Sequence, residues 1–258
     1  MSGYPFTRAL VTGASSGIGE AIARELGQAG VALVIVARRT ERLADLAAAF
    51  PGTEVLPADL QTGAGRAIVE ARLAATDDPV DLLVNNAGFG TSGAFTGIDP
   101  DRSEDEIELN VVALTRLTRA VLPRLVDAGR GWVLNLSSIV AFQPAPHISV
   151  YAATKAYVQS FSEGLHEELR GTGVKVTALC PGLTRTEFQS VSKVENSLRR
   201  YPAIAWLEPE QVAREGLRDC ARGRAVSVPG LQYKSAVALT NFVPRGLMRR
   251  VSGLVGRD

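Results

Sequence analysis

The stretch Thr12-Gly13-Ala14-Ser15-Ser16-Gly17-Ile18-Gly19 joins two segments of different periodicity. Residues 8–11 before it form a short apolar run typical of a buried strand, and the apolar residues after it recur at helical spacing. Its glycines therefore lie in a predicted strand-to-helix turn, where the missing Cβ permits positive φ and a close approach to a ligand. The unpaired N–H groups and positive dipole end of the following helix favour a pyrophosphate there. The spacing differs from the G-x-G-x-x-G fingerprint, so the stretch by itself also fits an ordinary glycine-rich turn.

Strand-like and helix-like segments alternate from residue 9 to residue 228. The strand-like segments are residues 8–12, 31–37, 54–58, 81–85, 131–137, 174–180 and 225–228. This alternation predicts an α/β fold, a doubly wound parallel sheet of about seven strands with helices on both faces, in a single domain over residues 1–230. The helical segment 103–127 contains Pro123, so we expect a kink or a break near its end.

The second predicted strand ends in Ala37-Arg38-Arg39, about 20 residues beyond the glycine turn. An acidic side chain at this point would bind the ribose 2′-hydroxyl of NAD, but no carboxylate is present. Arg38 and Arg39 can instead bind a 2′-phosphate through charge-assisted hydrogen bonds. Two arginines after a strand are more commonly solvated surface charges. Their place in a strand–turn–helix unit favours NADP (NADPH) as the cofactor.

Two further strand ends carry polar residues that suit a nucleotide. Asn85-Asn86-Ala87-Gly88 follows the predicted strand and fits either a turn that borders the nucleotide or a loop without a ligand. Asp59, next to Leu60 at the end of the third strand, fits either an acceptor for an adenine amino group or a helix cap. Both pairs of alternatives stay open at the level of the sequence.

The segment Tyr151-Ala152-Ala153-Thr154-Lys155 places a phenol and an ammonium four residues apart, on one face of a predicted helix. An unperturbed phenol titrates near pH ~10, too high to exchange protons readily at neutral pH. A nearby ammonium favours the phenolate, so we expect Lys155 to lower the pKa of Tyr151. The spacing is weak evidence taken alone, because an exposed helical face often carries it.

Together and in this order, the motifs resemble those of the short-chain dehydrogenase/reductase family over residues 6–230. The matching features are the glycine stretch, Asn85-Asn86-Ala87-Gly88, Asn110, Ser138 with Tyr151 and Lys155, and Pro181-Gly182. The resemblance implies a Rossmann-type fold and a catalytic tetrad of Asn110, Ser138, Tyr151 and Lys155. Ser137 and Ser138 are both candidates for the serine, and the family's spacing from serine to tyrosine favours Ser138.

The resemblance also implies a role for each of these residues. The tyrosine is the general acid, the lysine also holds the nicotinamide ribose, and the serine hydrogen-bonds the substrate carbonyl. The asparagine anchors a water molecule in a proton relay, although an asparagine inside a helix more often bonds locally. The implied cofactor contacts are Gly13, Ser15, Ser16, Gly17, Ile18, Gly19, Arg38, Arg39, Asp59, Leu60, Asn86, Ala87, Gly88, Tyr151, Lys155, Pro181, Gly182, Thr184 and Thr186.

Residues 183–207 form a long irregular segment, typical of a lid, and in the family this segment covers the substrate. The candidate pocket residues are Val140, Ala141, Phe142, Phe188, Tyr201 and Trp206. Their apolar character predicts reduction of a long-chain or 3-oxoacyl carbonyl group, or the reverse oxidation of an alcohol. A steroid-like or xenobiotic ketone is the alternative substrate. A redox-sensing module that binds the cofactor without turnover is the alternative from another class.

Composition narrows the class of protein. The formal charge of +1 over 258 residues gives no global basic field, so we expect no nucleic-acid partner. The two cysteines and two histidines lack the spacing of a disulfide framework or a metal site. The N-terminal residues lack the pattern of a signal peptide, and no apolar stretch approaches the ~20 residues of a membrane span. We therefore expect a cytoplasmic enzyme, and the resemblance implies a homodimer or homotetramer.

Residues 231–258 depart from the family pattern. They carry five basic residues against one acid, interleaved with large apolar side chains: Lys234, Arg245, Arg249, Arg250 and Arg257 against Asp258. Such a basic amphipathic extension fits peripheral contact with a membrane surface, or a cover over a lipid-like substrate. It fits equally a terminal helix packed on a partner subunit.

Overall fold

The sheet of this protein is described by a computed structural model that covers residues 3–192, 201–240 and Gly246. Its strands are β1 Arg8–Thr12, β2 Ala32–Ala37, β3 Glu54–Pro57, β4 Leu82–Asn85, β5 Gly131–Leu136, β6 Val174–Leu179 and β7 Val226–Ser227. They form one 7-stranded sheet in the order β3-β2-β1-β4-β5-β6-β7, and every adjacent pair is parallel. The predicted doubly wound parallel sheet is confirmed.

Helices of the described part cover both faces of the sheet. They are α1 Gly17–Gln28, α2 Thr40–Ala49, α3 Gly63–Ala74, α4 Pro100–Ile107, α5 Leu114–Asp127, α6 Ser149–Glu168, the short α7 Phe188–Val191, α8 Pro209–Ala221 and α9 Leu231–Thr240. Successive residues of β1 point to opposite faces, so Val11 packs with α1 and α8 while Leu10 packs with α3 and α5. Burial on both faces explains why the strands read as continuous apolar runs.

The strand order reverses at β1, which lies between β2 and β4. The crossovers that follow β1 and β4 leave the sheet on opposite faces. A crevice therefore opens beyond the carboxyl ends of these two strands. The glycine turn follows β1, and Asn85-Asn86-Ala87-Gly88 begins at the last residue of β4. Two motifs that are far apart in sequence therefore meet at this crevice.

Of the kink or break expected near Pro123, the break is wrong, because α5 continues through this proline to Asp127. The buried residues Leu117, Val121 and Leu125 hold one face of α5 against the core, and this packing offsets the hydrogen bond that proline removes. The irregularity lies earlier, where Glu108–Ala113 form a π-helical turn between α4 and α5. Such turns inside helices frequently mark functional sites.

Two expected regions extend beyond the described residues. Residues 193–200 of the expected lid lie outside them, as do residues 241–245 and 247–258 of the C-terminal extension. Among the residues that are described, no helix has both the length and the apolar character needed to cross a membrane.

Candidate active site

A cleft of about 650 Å³ lies at the carboxyl ends of the strands. Its wall includes residues that follow each of β1 to β6, so no single motif forms it. Most of the residues expected to contact a cofactor line this cleft: Gly13, Ser15, Ser16, Gly17, Ile18, Arg38, Arg39, Asp59, Leu60, Asn86, Ala87, Gly88, Tyr151, Lys155, Pro181, Gly182, Thr184 and Thr186. Gly19 is the exception, since it is not among the residues that line the cleft.

The glycine turn is shaped by close contacts with the strand end beside it. Gly13 has a φ of +66°, and a Cβ on it would lie 2.7 Å from Asn86 Nδ2. Gly19 lies beneath the turn, where a Cβ would collide with the Gly13 carbonyl group and the Asn86 amide. Asn86 Nδ2 donates to the Thr12 carbonyl oxygen at 2.9 Å and to the Gly13 carbonyl oxygen at 3.2 Å. The turn is therefore fixed by packing and hydrogen bonds, with room for a ligand above it.

The two arginines after β2 lie in different surroundings. Arg38 is 65% exposed, and its Nη1 donates to Gln61 Oε1 at 3.0 Å and lies 3.9 Å from Asp59 Oδ2. Arg39 reaches back to the glycine turn, where its Nη2 donates to Ser16 Oγ at 2.8 Å and to Ser15 Oγ at 3.1 Å. Both guanidinium groups thus lie at one end of the cleft.

Asp59 is not the cap of the helix that follows it. Its Oδ1 accepts from the Gln61 N–H at 3.1 Å, while the N-cap of α3 is Thr62, whose Oγ1 accepts from the Gly65 N–H at 3.0 Å. Asp59 lines the cleft beside Leu60. Of the two alternatives from the sequence, the helix cap is therefore wrong.

Tyr151 and Lys155 lie on the first turns of α6, at the opposite end of the cleft from Arg38. Ser138 begins the 3₁₀ turn after β5, and its side chain lies close enough to that of Tyr151 to lower the pKa of the phenol. Ser137 points elsewhere, because its Oγ donates to the Lys155 carbonyl oxygen at 2.8 Å. Lys155 Nζ donates to the Leu136 carbonyl oxygen at 2.8 Å. The serine that contacts the tyrosine is therefore Ser138.

Asn110 lies in the π-helical turn and is almost fully buried behind the cleft. Its Oδ1 accepts from the Phe89 N–H at 3.1 Å. Its Nδ2 donates to the Phe89 carbonyl oxygen at 2.8 Å and to Thr154 Oγ1 at 3.1 Å. The side chain ties the loop after β4 to α6, and one lone pair of Oδ1 is left for a further donor.

Burial dominates the titration of the catalytic candidates. Burial raises the pKa of Tyr151, while the nearby hydroxyl group of Ser138 opposes the rise and the charge of Glu106 adds to it. Burial also lowers the pKa of Lys155 to about 8, against the charge of Glu106. The expectation that the pKa of Tyr151 is lowered is therefore not met, because desolvation of the buried phenol is the largest contribution to its pKa and raises it.

The substrate end of the cleft has apolar and polar side chains in its wall. The apolar side chains are those of Phe89, Ile139, Val140, Ile148 and Phe188, and the polar or charged ones are those of Thr91, Arg102, Asp105 and Ser192. The Phe188 ring lies 5.2 Å from the Tyr151 ring, centroid to centroid. The guanidinium group of Arg102 stacks on the Phe89 ring at 4.1 Å.

Four expected pocket residues do not line the cleft as described: Ala141, Phe142, Tyr201 and Trp206. The indole of Trp206 lies 5.6 Å from the guanidinium of Arg185, to which it presents its ring face. Residues 193–200, on the same segment, lie outside the described residues. Val140 and Phe188 are the expected pocket residues that the described cleft includes.

Helix α9 packs under the segment after β6, although the sequence assigned it to an extension. Tyr233 Oη accepts from the Leu183 N–H at 3.1 Å and donates to the Ala205 carbonyl oxygen at 2.5 Å. A Cβ at Gly182 would overlap the Tyr233 ring, so glycine is required there. The first ten residues of the extension thus support the substrate end of the cleft.

Sequence reasoning missed several residues around the cleft: Arg42, Gln61, Arg102, Glu106 and Glu187. The sequence could have predicted a role for Arg42, because it is a third basic residue only four positions after Arg38. Glu187 gave no signal, since its partners lie 145 to 148 residues away. Glu106 is fully buried, and burial raises its pKa. Within the described part of the chain, no group of three or more His, Cys, Asp or Glu side chains could hold a metal ion.

Comparison with known proteins gives consistent matches. The model of the family described as short chain dehydrogenase matches residues 7–196. The NADP-dependent 3-hydroxy acid dehydrogenase YdfG of Salmonella typhimurium is 39% identical over 215 residues, which cover 79% of this chain and 84% of that protein. A short-chain dehydrogenase from Sphingobium yanoikuyae, solved in complex with NADPH, is 37% identical with a TM-score of 0.84 and covers 94% of this chain and 95% of its own. A bulky-bulky ketone specific alcohol dehydrogenase from Comamonas testosteroni is 33% identical with a TM-score of 0.80, covering 94% of each chain.

Proposed function

The chain belongs to the short-chain dehydrogenase/reductase family, and from that premise we propose that it reduces a ketone with apolar substituents, using NADPH. It is an NADP-dependent oxidoreductase that acts on a small molecule. The observation that carries the substrate proposal is that the hydroxyl groups of Ser138 and Tyr151 both line the cleft, close enough for Ser138 to lower the pKa of Tyr151, together with the apolar side chains of the same wall. A carbonyl oxygen between these hydroxyl groups would accept from both.

The residues at the other end of the cleft fit the cofactor. The positive φ and missing Cβ of Gly13 let the glycine turn pack closely against Asn86 and Ala87, and the N-terminus of α1 favours the negative charge of a pyrophosphate beside this turn. Arg38, Arg39 and the Ser15 hydroxyl group supply donors suited to a 2′-phosphate. Asn86, Ala87 and Gly88 border the space between the two ends. When bound, NADPH supplies the hydride, while the protein supplies orientation and electrostatics.

Proton transfer to the substrate is the task of four side chains: Tyr151, Ser138, Lys155 and Asn110. Tyr151 is the general acid for reduction, and its raised pKa keeps it protonated at neutral pH, as a donor must be. Ser138 orients the carbonyl oxygen, and Lys155 stabilises the phenolate that remains after the proton is given. We place Asn110 in the route that returns the proton, through a water molecule at its remaining acceptor.

Two substrate classes are distinguished by particular residues. Val140, Ile148 and Phe188 in the wall favour a ketone with long or bulky apolar groups, including 3-oxoacyl chains. The guanidinium of Arg102 in the same wall favours a second candidate, a 3-hydroxy acid whose carboxylate it would bind. A carboxylate bound by arginine gains the geometry of two parallel hydrogen bonds.

The test measures NADPH consumption with purified protein against medium- and long-chain ketones, 3-oxoacyl thioesters and short 3-oxo acids. We expect the highest kcat/KM for apolar ketones, and loss of turnover in Tyr151→Phe. Preference for short 3-oxo acids that is lost in Arg102→Leu would select the second candidate. Binding of NADPH without turnover of any carbonyl compound would contradict both.

Assembly and location follow as further proposals. We infer a cytoplasmic homodimer or homotetramer, supported by the exposed apolar side chains of Ile107 on α4 and Tyr157 on α6. We also propose that the C-terminal extension, residues 231–258, contacts anionic lipid through the residues that follow α9, supported by their basic composition. Light scattering tests the first, and sedimentation with anionic vesicles at low and high salt, comparing the full chain with one ending at Thr240, tests the second.

A further inference from the structure

The segment that follows β6 passes directly over the glycine turn. A Cβ on Gly17 would lie 3.1 Å from the side chain of Thr186, so this side chain packs closely on the Gly17 backbone. Gln189, on the same segment, fixes the backbone around Thr186. Its Oε1 accepts from the Thr186 N–H at 3.2 Å, and its Nε2 donates to the Thr184 carbonyl oxygen at 2.7 Å. Residues 181–192 therefore meet the turn as an ordered segment, which we call the strap.

The next residue of this strap makes an ionic contact with the opposite wall. Glu187 Oε2 accepts from Arg39 Nη1 at 2.9 Å, and Glu187 Oε1 accepts from Arg42 Nη1 at 2.6 Å. Each carboxylate oxygen thus has its own guanidinium group. We call this three-residue group the Glu187 bridge.

The Glu187 bridge lies beside the donors assigned to the cofactor's phosphates. Arg39 also donates to both serine hydroxyl groups of the turn, at 2.8 Å to Ser16 Oγ and 3.1 Å to Ser15 Oγ. Ser15, Ser16, Arg39 and Glu187 all line the cleft. The bridge therefore spans the mouth of the cleft between the start of α2 and the strap.

We propose that the Glu187 bridge is a clamp that retains the bound cofactor, with Glu187 and Arg42 as positioning residues that set its rate of release. This inference rests on the proposed function, since it takes the polar end of the cleft as the NADP(H) site. A ligand that lies over the glycine turn lies beneath the strap, so its release requires the strap to separate from α2. That separation breaks both ion pairs of Glu187.

The exposure of the bridge limits the size of its effect. The side chains are 44% and 41% exposed in the Arg39–Glu187 pair and 47% and 41% exposed in the Arg42–Glu187 pair. Ion pairs at such positions are individually weak, though a network of charges does better. We therefore expect release to become about three to ten times faster without the bridge, not a loss of binding.

The experiment measures NADPH dissociation by stopped-flow fluorescence, as bound NADPH is displaced by excess NADP⁺. The variants are Glu187→Ala, the isosteric Glu187→Gln and Arg42→Met. The last of these removes the ion pair between Arg42 and Glu187 and leaves Arg39 intact. Glu208→Gln is the matched control, because Glu208 at the start of α8 forms an exposed ion pair with Arg185 of the strap at 3.0 Å, and neither residue lines the cleft. We expect faster release in the three bridge variants and no change in the control.

Further readouts separate a clamp from a general loss of structure. The rate of hydride transfer in a single turnover should not change, and the KM for NADPH should rise while kcat does not fall. In the unmodified protein, about 1 M salt should bring release close to the rate of Glu187→Ala, because the Debye length falls to about 3 Å.

Each other outcome overturns the clamp. Unchanged release in Glu187→Ala and Arg42→Met would show that the bridge does not hold the cofactor. Slower release of NADPH in Glu187→Ala would show instead that the carboxylate competes with the 2′-phosphate for Arg39. Absence of NADPH binding to the unmodified protein would contradict the proposed function itself, which is a distinguishable failure.

Discussion

The two ends of the cleft are built in different ways. The cofactor end rests on short, sequence-local motifs whose backbone is fixed by hydrogen bonds, such as those from Asn86 Nδ2 to the glycine turn. The substrate end is lined by side chains on α4, α6 and the strap, which are distant in sequence, and α9 supports the strap from beneath. A ligand shared by many enzymes can be bound by a fixed backbone, whereas a particular substrate requires side chains that can vary without disturbing the sheet.

The largest effect should come from the residue that joins the two ends. Tyr151→Phe should lower kcat at least ~100-fold, the scale of general acid–base catalysis, and leave the Kd for NADPH unchanged. Tyr157→Phe is the control on the same helix, since its Oη contacts Thr115 Oγ1 at 3.0 Å and lies outside the cleft. Near-normal turnover of Tyr151→Phe would remove this residue as the acid.

A smaller effect, confined to the cofactor end, should follow loss of Arg38. Arg38→Ala should weaken NADPH by roughly 1.5–3 kcal/mol, towards the lower value because Arg38 is 65% exposed, and leave NADH nearly unchanged. Arg39→Ala should weaken NADPH less, since Arg39 shares its donors with the serines and Glu187. Fluorescence titration measures both cofactors. Equal dissociation constants for NADPH and NADH in the unmodified protein would sink the assignment.

Substitution of two glycines with similar φ distinguishes the effect of backbone strain from the effect of the close packing at the glycine turn. Gly13→Ala and Gly30→Ala each force alanine to a positive φ, +66° and +78°, but only the first meets another atom within 4 Å. Each should cost about 1–2 kcal/mol of unfolding free energy from strain. Only Gly13→Ala should also weaken NADPH, by about tenfold or more, because it shifts Asn86. Equal NADPH affinity in both variants would mean that the turn tolerates a Cβ.

The pH dependence of reduction tests the electrostatics around the catalytic group. Burial lowers the pKa of Lys155 to about 8, so its charge is lost as the pH rises through that value. The kcat/KM for ketone reduction should fall by up to about tenfold per pH unit above it, while Tyr151 stays protonated. Glu106→Gln removes a charge that raises the pKa of Lys155 and should move this limb to lower pH. A flat profile to about pH 10 would contradict this role of Lys155.

The same lysine has an opposite effect on stability. Its folded-state pKa lies below its unfolded value, so between the two values the unfolded chain binds the extra proton. Lys155 should therefore make the free energy of unfolding rise with pH between about 8 and the ordinary lysine value. Activity and stability should separate in that interval, which urea titration at two pH values can measure.

The smallest effect should lie at the base of the substrate end. Tyr233→Phe removes the hydroxyl group that bonds Leu183 and Ala205, and the KM for ketones should rise about twofold to fivefold at unchanged NADPH affinity. A chain ending at Thr240 keeps this tyrosine and serves as its comparison. If that shortened chain shows the larger rise in KM, residues 241–258 support the substrate end more than Tyr233 does.

The sequence by itself determined the strands, the parallel sheet and the family. Continuous apolar runs such as residues 31–36 indicate burial on both faces of the sheet. The glycine turn indicates a backbone that adopts positive φ and packs closely. These signals are local, so each is complete within a few neighbouring residues. For the same reason Arg38 and Arg39 were found, and Arg42 could have been.

Only the tertiary structure decided how side chains from distant elements meet. The family's spacing favours Ser138 over Ser137, and the structure adds the direction of each hydroxyl group: Ser137 Oγ donates to the Lys155 carbonyl oxygen, whereas Ser138 acts on Tyr151. The π-helical turn at Asn110, the ionic contact of Glu187 and the support from Tyr233 join segments far apart in the chain. Burial of Tyr151 reversed the expected shift of its pKa, because desolvation depends on everything packed around a group and not on its partner alone.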